Sequence, residues 1–133
     1  MKLLITGSRN FDDYNALKQT IEAIQKLQGE KITMLLHGGA IGADSLAQNW
    51  ADENKISTQV IKPDYKKYSG KVAPLMRNRE LIKLADCTLA FYTKNRTGGT
   101  WYTSQKTIES QKPLYEYLTS KELIYTAPVQ SLF

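Results

Sequence analysis

Apolar residues recur along the chain in two alternating patterns. Short runs rich in apolar residues over 2–6, 32–38, 57–63, 87–93 and 113–118 are typical of buried strands. Between these runs, apolar residues spaced three or four apart predict helices over about 13–28, 44–54, 73–85 and 100–111. The first helix has the clearest limits, with Asp12 or Asp13 as its N-cap and Gly29 as its C-cap.

This alternation of strand and helix predicts an α/β domain with a mostly parallel sheet of about five strands and helices on both faces. In such sheets, ligands bind beyond the carboxyl ends of the strands, where the strand order reverses. We therefore expect the segments that follow the strands, 7–9, 37–44, 63–71 and 95–100, to converge on one rim. Residues 119–133 carry no clear pattern, and a frayed helix, an edge strand and a partner contact all remain open for them.

Two of the strand-to-helix turns are rich in glycine, HGGAIGAD at 37–44 and TGGT at 97–100. Against the pattern G-x-G-x-x-G, the first turn matches at Gly39 and Gly42 and has His37 in place of the first glycine. Such turns present bare backbone amides at the positive end of a helix, where a phosphate can bind. Two of them in one short chain favour an anion site, while tight turns without a ligand are the alternative.

Two arginines, Arg77 and Arg79, lie near the start of the third predicted helix. The helix dipole disfavours cations there, which indicates another purpose, such as a two-pronged contact to phosphate. Pairing with Glu80 or Glu53 on the surface is the alternative, above all for Arg79.

Several single residues have more than one possible role. Asp64 follows Gly42 by 22 residues, where a dinucleotide-binding fold places the acid that binds a ribose hydroxyl. His37 either fixes its turn, contacts a ligand or acts as a general base. Trp101 and Tyr102 either stack on a base or pack against the protein.

Composition narrows the class of protein. The chain has 133 residues, the size of one domain, and a net charge of +5. Residues 62–83 hold seven basic and two acidic residues, whereas the remainder holds eleven of each. The excess of positive charge is therefore local, which favours a site for a small anion over a general coating for nucleic acid.

One cysteine and one histidine exclude a disulfide framework and a Cys/His zinc site, and we expect no metal. The apolar runs are too short for a signal peptide or a membrane span, so we expect a cytoplasmic protein with no membrane partner.

Taken together, these motifs resemble the SLOG superfamily, in particular its small stand-alone branch of YspA-like bacterial and phage proteins. The resemblance covers about residues 3–118 and rests on ITGSR at 5–9, the turn at 37–44, PDY at 63–65, GK at 70–71, RN at 77–78 and GT at 99–100. It implies a Rossmann-like, doubly wound nucleotide-binding domain over 1–118, with 119–133 as an extension of the same domain. It also implies a homodimer or larger homo-oligomer, with no cofactor required.

The resemblance and the residue patterns together predict which residues contact the ligand. They are Gly7, Ser8, Arg9, His37, Gly38, Gly39, Gly42, Asp44, Pro63, Asp64, Tyr65, Lys71, Arg77, Asn78, Gly98, Gly99 and Thr100.

Relatives within the superfamily suggest different activities. The LOG phosphoribohydrolases release a base from a nucleoside monophosphate with an arginine and the glutamate of P-G-G-x-G-T-x-x-E; here Thr103 stands at the position of that glutamate. Other relatives are sensors of NAD-derived or nucleotide signals in antiviral systems, and DNA-processing protein A. We therefore expect binding of a nucleotide derivative, resembling NAD or ADP-ribose or a cyclic or mononucleotide, by a sensor or sequestering module. The alternatives are a phosphoribohydrolase or NAD-type N-glycosidase, with Asp44, Asp64 and Arg77 as catalytic candidates, and binding of single-stranded DNA.

Overall fold

The sheet has six strands in the order β3-β2-β1-β4-β5-β6 in the computed structural model, which describes residues 1–129. The strands are β1 (Lys2–Gly7), β2 (Met34–His37), β3 (Ser57–Val60), β4 (Cys87–Phe91), β5 (Leu114–Tyr117) and β6 (Leu123–Thr126). The helices are α1 (Tyr14–Gln28), α2 (Ala43–Asn54), α3 (Ala73–Leu84) and α4 (Gly98–Glu109). The first five strands are parallel and β6 is antiparallel to β5, so the Rossmann-like, mostly parallel fold is confirmed.

The sixth strand corrects the prediction of about five. Residues 123–126 return from β5 through a tight turn, in which the Leu118 amide donates to Glu122 O at 2.9 Å, and then pair with β5. The edge strand, one of the three possibilities left open for 119–133, is therefore the correct one for these residues. A four-residue strand at a sheet edge is half exposed, so it lacks the continuous apolar run that marks the inner strands. Residues 130–133 lie outside the described part of the chain.

Helices cover both faces of the sheet, as predicted. α1 and α2 pack with Leu3, Ile5 and Leu35 in the larger apolar core on one face. On the other face, Leu4 and Leu36 contact Leu81 and Ile82 of α3, and α4 lies beside α3. The sheet reverses its strand order between β1 and β4, which places the switch point at the carboxyl ends of these two central strands.

Local sequence signals fix several element ends. Asp13 caps α1, because its side chain accepts a hydrogen bond from the Ala16 amide at 3.0 Å, and Gly29 ends the helix with a φ of 65°. β3 ends at Val60 rather than at residue 63, and α4 begins at Gly98 rather than at residue 100. Because α4 begins earlier than predicted, Gly98 and Gly99 both lie within its first helical turn. Within residues 1–129, no helix is long and apolar enough to cross a membrane.

A lysine caps the end of α3 in the absence of a glycine. Lys112 Nζ donates to Ile82 O at 2.7 Å, Lys83 O at 3.1 Å and Ala85 O at 2.7 Å. We expect Lys112→Met to lower the free energy of unfolding by about 2 kcal/mol, because three carbonyls lose a charged donor. Urea unfolding measures this, with Lys18→Met on the exposed face of α1 as the control; equal values for the two variants would contradict it.

Candidate functional site

A cavity of about 330 Å³ lies beyond the carboxyl end of β1, at the predicted switch point. Its volume falls at the lower end of the range for small-molecule sites. Four segments form its wall: the end of β1 with the loop after it, the first glycine turn, one side of α3, and the start of α4. The lining residues are Leu4, Ile5, Thr6, Gly7, Ser8, Arg9, Gly38, Ala40, Asp44, Pro74, Leu75, Arg77, Asn78, Leu81, Thr97, Gly99 and Thr100.

Three of the four predicted segments thus meet at one cavity, and 63–71 contributes no lining residue. Asp64 Oδ1 instead accepts hydrogen bonds from the amides of Lys66 and Lys67, both at 3.1 Å, and so closes its own exposed turn. Pro63, Tyr65 and Lys71 also lie outside the wall. A role of these residues in binding remains a prediction.

The first glycine turn is filled by its own side chains. Asp44 Oδ2 accepts from the amides of Gly38 at 3.1 Å and Ala40 at 3.2 Å, and the Gly39 amide donates to His37 Nδ1 at 3.0 Å. The prediction of bare amides at this turn is therefore wrong for residues 38–40. The reason is that the carboxylate in the first turn of α2 folds back onto the amides that a phosphate would otherwise use.

His37 holds this turn in place. Its Nδ1 accepts from an amide, which puts the ring proton on Nε2, 2.7 Å from Gln48 Oε1. Gln48 in turn donates to Asp52 Oδ1 at 2.9 Å. Both ring nitrogens of this buried histidine are engaged, so of the three roles open to His37 the geometry matches the fixing of the turn.

Two glycines allow the loops around the cavity to approach each other. Gly42 has a φ of 83°, and a Cβ there would meet the backbone of Ser8 and Arg9. A Cβ on Gly7 would lie 2.7 Å from the Ala43 Cβ. The Ala43 amide also donates to Ser8 O at 3.3 Å. These glycines are required for packing between β1 and α2, as in the close helix–strand contact of dinucleotide-binding folds.

The second glycine turn is open. Thr97, the N-cap of α4, makes no side-chain capping hydrogen bond, and within residues 1–129 the amides of Gly98, Gly99 and Thr100 have no acceptor. A Cβ on Gly98 or Gly99 would meet nothing within 4 Å. Thr97, Gly99 and Thr100 line the cavity, so the free helix start faces it.

Arg77 lines the same cavity as this turn. Its Nη1 donates to Gly38 O at 2.7 Å and its Nε to Asn78 Oδ1 at 2.6 Å, while Nη2 has no hydrogen-bond partner among the described residues. Burial lowers the pKa of the guanidinium, Asp44 and Tyr65 raise it, and Arg9 lowers it further. Since the ordinary value is so high, Arg77 stays charged and presents one free edge.

A chain of hydrogen bonds along the cavity wall joins the two glycine turns. From Arg77 it continues through Asn78 Nδ2, which donates to Thr103 Oγ1 at 2.9 Å, and Thr103 Oγ1 donates to Gly99 O at 3.0 Å. Thr103 is fully buried. Thr103, which stands where the LOG phosphoribohydrolases have their glutamate, therefore links α3 to α4.

Asp44 is the acidic side chain in the described cavity wall and is only 7% exposed. Burial raises its pKa, opposed by the two amide hydrogen bonds, His37 and Arg77. A raised pKa in the folded state stabilises the fold below the ordinary value of about 4, and this contribution is lost as the pH rises through the folded value.

We therefore expect Asp44→Asn to match the wild type in unfolding free energy near pH 4 and to exceed it at pH 7. Urea unfolding at both pH values measures the difference. If the wild type instead gained stability over the variant as pH rose, Arg77 and the amides would outweigh burial.

The basic patch is only partly at the cavity. Of the seven basic residues in 62–83, Arg77 lines the wall, while Arg79 and Lys83 border a separate groove between α3 and α4. Arg9 supplies the second guanidinium of the cavity. Trp101 and Tyr102 do not line the cavity.

Sequence reasoning missed the apolar part of the wall. Pro74 and Leu81 line the cavity on the same side of α3 as Arg77 and Asn78. Their spacing of three to four residues from Arg77 or Asn78 is the signal that could have identified them.

Comparisons with known proteins identify the family of the chain. The Gene 61 protein of Mycobacterium phage D29 is 31% identical over 96 residues, which covers 68% of this chain and 75% of that protein. No solved structure matches the chain significantly. The model of the family described as YAcAr: YspA, cpYpsA-related SLOG family matches residues 1–68, which include both β1 and the first glycine turn. The chain therefore belongs to this YspA, cpYpsA-related SLOG family.

Proposed function

We propose that the chain binds a nucleotide or a nucleotide-derived ligand in this cavity, as a sensor or sequestering module that does not turn the ligand over. The ligand class is that of NAD, ADP-ribose, cyclic nucleotides and mononucleotides. SLOG membership supports a nucleotide-related role. The absence of a carboxylate at residue 103, where a hydroxyl is committed to Gly99 O, favours binding over hydrolysis.

The observation that carries the proposal is that Arg77 and the start of α4 line one cavity. Arg77, whose Nη2 has no partner among the described residues, lines the same cavity as Gly99 and Thr100, whose amides have no acceptor. A phosphate in contact with both would receive charge-assisted hydrogen bonds from the guanidinium and would lie at the positive end of the α4 dipole. Arg9 adds a second cation at the rim.

The rest of the wall suits a nucleoside. Asp44 receives its two amide hydrogen bonds on Oδ2, which leaves Oδ1 to accept from a ribose hydroxyl. Leu75 and Leu81 offer apolar surface for a base. The cavity therefore combines phosphate, sugar and base surfaces along one wall.

Calorimetry and thermal shift against ADP-ribose, NAD, AMP and cyclic AMP test the proposal, with adenosine as the control that lacks phosphate. We expect at least one phosphate-bearing compound to bind at micromolar concentration, and adenosine to bind at least about tenfold more weakly, since charge-assisted hydrogen bonds to phosphate are lost. Binding of none of the four, or equal binding of adenosine, would refute the proposal.

An N-glycosidase is the second candidate, favoured by one observation: the buried carboxylate of Asp44 lines the cavity. Such an enzyme would release adenine from AMP or nicotinamide from NAD, and Asp44→Asn would abolish the release. We expect no free base after prolonged incubation of the wild type. Release that depends on Asp44 would replace the binding proposal with this one.

Binding of single-stranded DNA is the third candidate, favoured by the exposed lysines of the loop 62–71. It predicts affinity for an oligonucleotide that falls steeply between low and physiological salt. We expect the phosphate-bearing small molecules to bind more tightly than the oligonucleotide at physiological salt. The reverse order would favour DNA.

A further inference from the structure

Glu116 on β5 is a buried carboxylate that the proposed site does not use. Its side chain is 4% exposed, and its Oε2 has no hydrogen-bond partner among the described residues. Its Oε1 lies 3.9 Å from Arg96 Nη1, which is too long for a hydrogen bond. The Tyr92 hydroxyl is a further neighbour, since burial raises its pKa and the Glu116 carboxylate raises it further. A charge at this depth without a close hydrogen bond is costly, which favours a role beyond stability.

Arg96 belongs to the loop between β4 and α4, whose last residue, Thr97, lines the cavity. At the other end of this loop, the Thr93 hydroxyl is hydrogen-bonded to Ser8 Oγ at 2.9 Å and Asn10 Oδ1 at 2.6 Å. The loop is thus held from one side by the β1–α1 connection and from the other by the pair between Arg96 and Glu116. A cation beside the start of α4 opposes the helix dipole, and the buried carboxylate compensates for it.

We propose that Glu116 is a positioning residue, which acts through Arg96 to fix the loop 93–97 and hence the direction of the amides at Gly98–Thr100. The predicted effect on ligand affinity rests on the proposed function. The structural basis of the inference does not depend on that function. It consists of the carboxylate of Glu116, which is buried at a cost to stability, its exposed partner Arg96, and the loop 93–97, which leads directly into the start of α4 at the cavity. A stability cost retained at a functional site is a common trade-off.

Glu116→Gln tests the inference, because it removes the charge and keeps the shape. We expect its melting temperature to equal or exceed that of the wild type, because a buried charge without full partners is removed. Backbone NMR order parameters at 94–99 should fall below about 0.6, the range of flexible backbone, and affinity for ADP-ribose, or for whichever of the four test compounds binds most tightly, should fall about tenfold. A residue with a merely structural role would lower the melting temperature and expose β4 and β5 to exchange together.

Arg96→Gln provides the second variant, and its side chain is exposed enough that folding is not at risk. If Glu116 acts through Arg96, the double variant should have loop order parameters and affinity no lower than those of either single variant. Glu109→Gln is the matched control, since that exposed acid pairs with Lys106 on the surface at 2.9 Å.

Three results would overturn the inference: unchanged order parameters at 94–99 in Glu116→Gln, a fall in melting temperature with general loss of exchange protection in β4 and β5, or additive effects in the double variant. If the wild type binds none of the nucleotides, the proposed function fails, and the order parameters and melting temperatures still decide whether Glu116 positions the loop.

Discussion

Gly42→Ala is expected to lower the free energy of unfolding by about 3 kcal/mol or more. Gly42 has a φ of 83° and a ψ of −128°, a region that residues with a side chain rarely enter. An added Cβ would also meet the backbone of Ser8 and Arg9, which cannot move without displacing the loop after β1. The strain and the collision act together, and either alone would cost less. Urea unfolding of the purified variant measures the loss.

Gly29→Ala is the matched control for this prediction. Gly29 also has a positive φ, 65°, but a Cβ there would meet nothing within 4 Å. We expect it to cost about 1 kcal/mol, the strain of the backbone alone. Equal losses in the two variants would mean that the contact between the first glycine turn and the loop after β1 is not tight.

Arg77→Ala is expected to reduce affinity for the phosphate-bearing ligand about 100-fold. The variant removes a charged, fixed donor from the cavity and frees Gly38 O and Asn78, which Arg77 now holds. Calorimetry with the tightest-binding compound of the four measures the loss. Affinity for adenosine should change much less, because the lost contact is to phosphate.

Two further variants separate binding from general charge. Arg79→Ala removes an arginine from the same helix that does not line the cavity, and we expect affinity to change less than about threefold. Gly38→Ala keeps Arg77 but places a Cβ against its guanidinium, so it should reproduce much of the loss. Similar losses in the Arg77 and Arg79 variants would point to a diffuse electrostatic effect in place of a site.

Sequence patterns were sufficient for the fold because the inner strands are buried on both faces. Their continuous apolar runs and the three-to-four spacing of α1 leave little ambiguity. The same parallel topology brings the ends of β1, β2 and β4 together, so the meeting of residues 7–9, 38–44 and 97–100 follows from strand order.

Side-chain hydrogen bonding was not predictable from these patterns. The sequence shows glycines before both α2 and α4, but not that Asp44 and His37 occupy the amides of the first turn while those of the second stay free. Asp64 has the spacing of a ribose-binding acid, yet it closes a local turn, because Asp readily accepts from amides two and three residues ahead. Such choices depend on rotamers and neighbours that residue spacing does not encode.

Amide spectra of the ¹⁵N-labelled protein, titrated with ADP-ribose and with adenosine, test most directly where the phosphate binds. We expect ADP-ribose to shift the amides of Gly98, Gly99 and Thr100 strongly, and those of 38–40 less, because Asp44 and His37 already hold them. Adenosine should leave 98–100 nearly unchanged. Largest shifts at 38–40, or no response at 98–100 to a phosphate-bearing ligand that binds, would contradict a phosphate site formed by Arg77 and the start of α4.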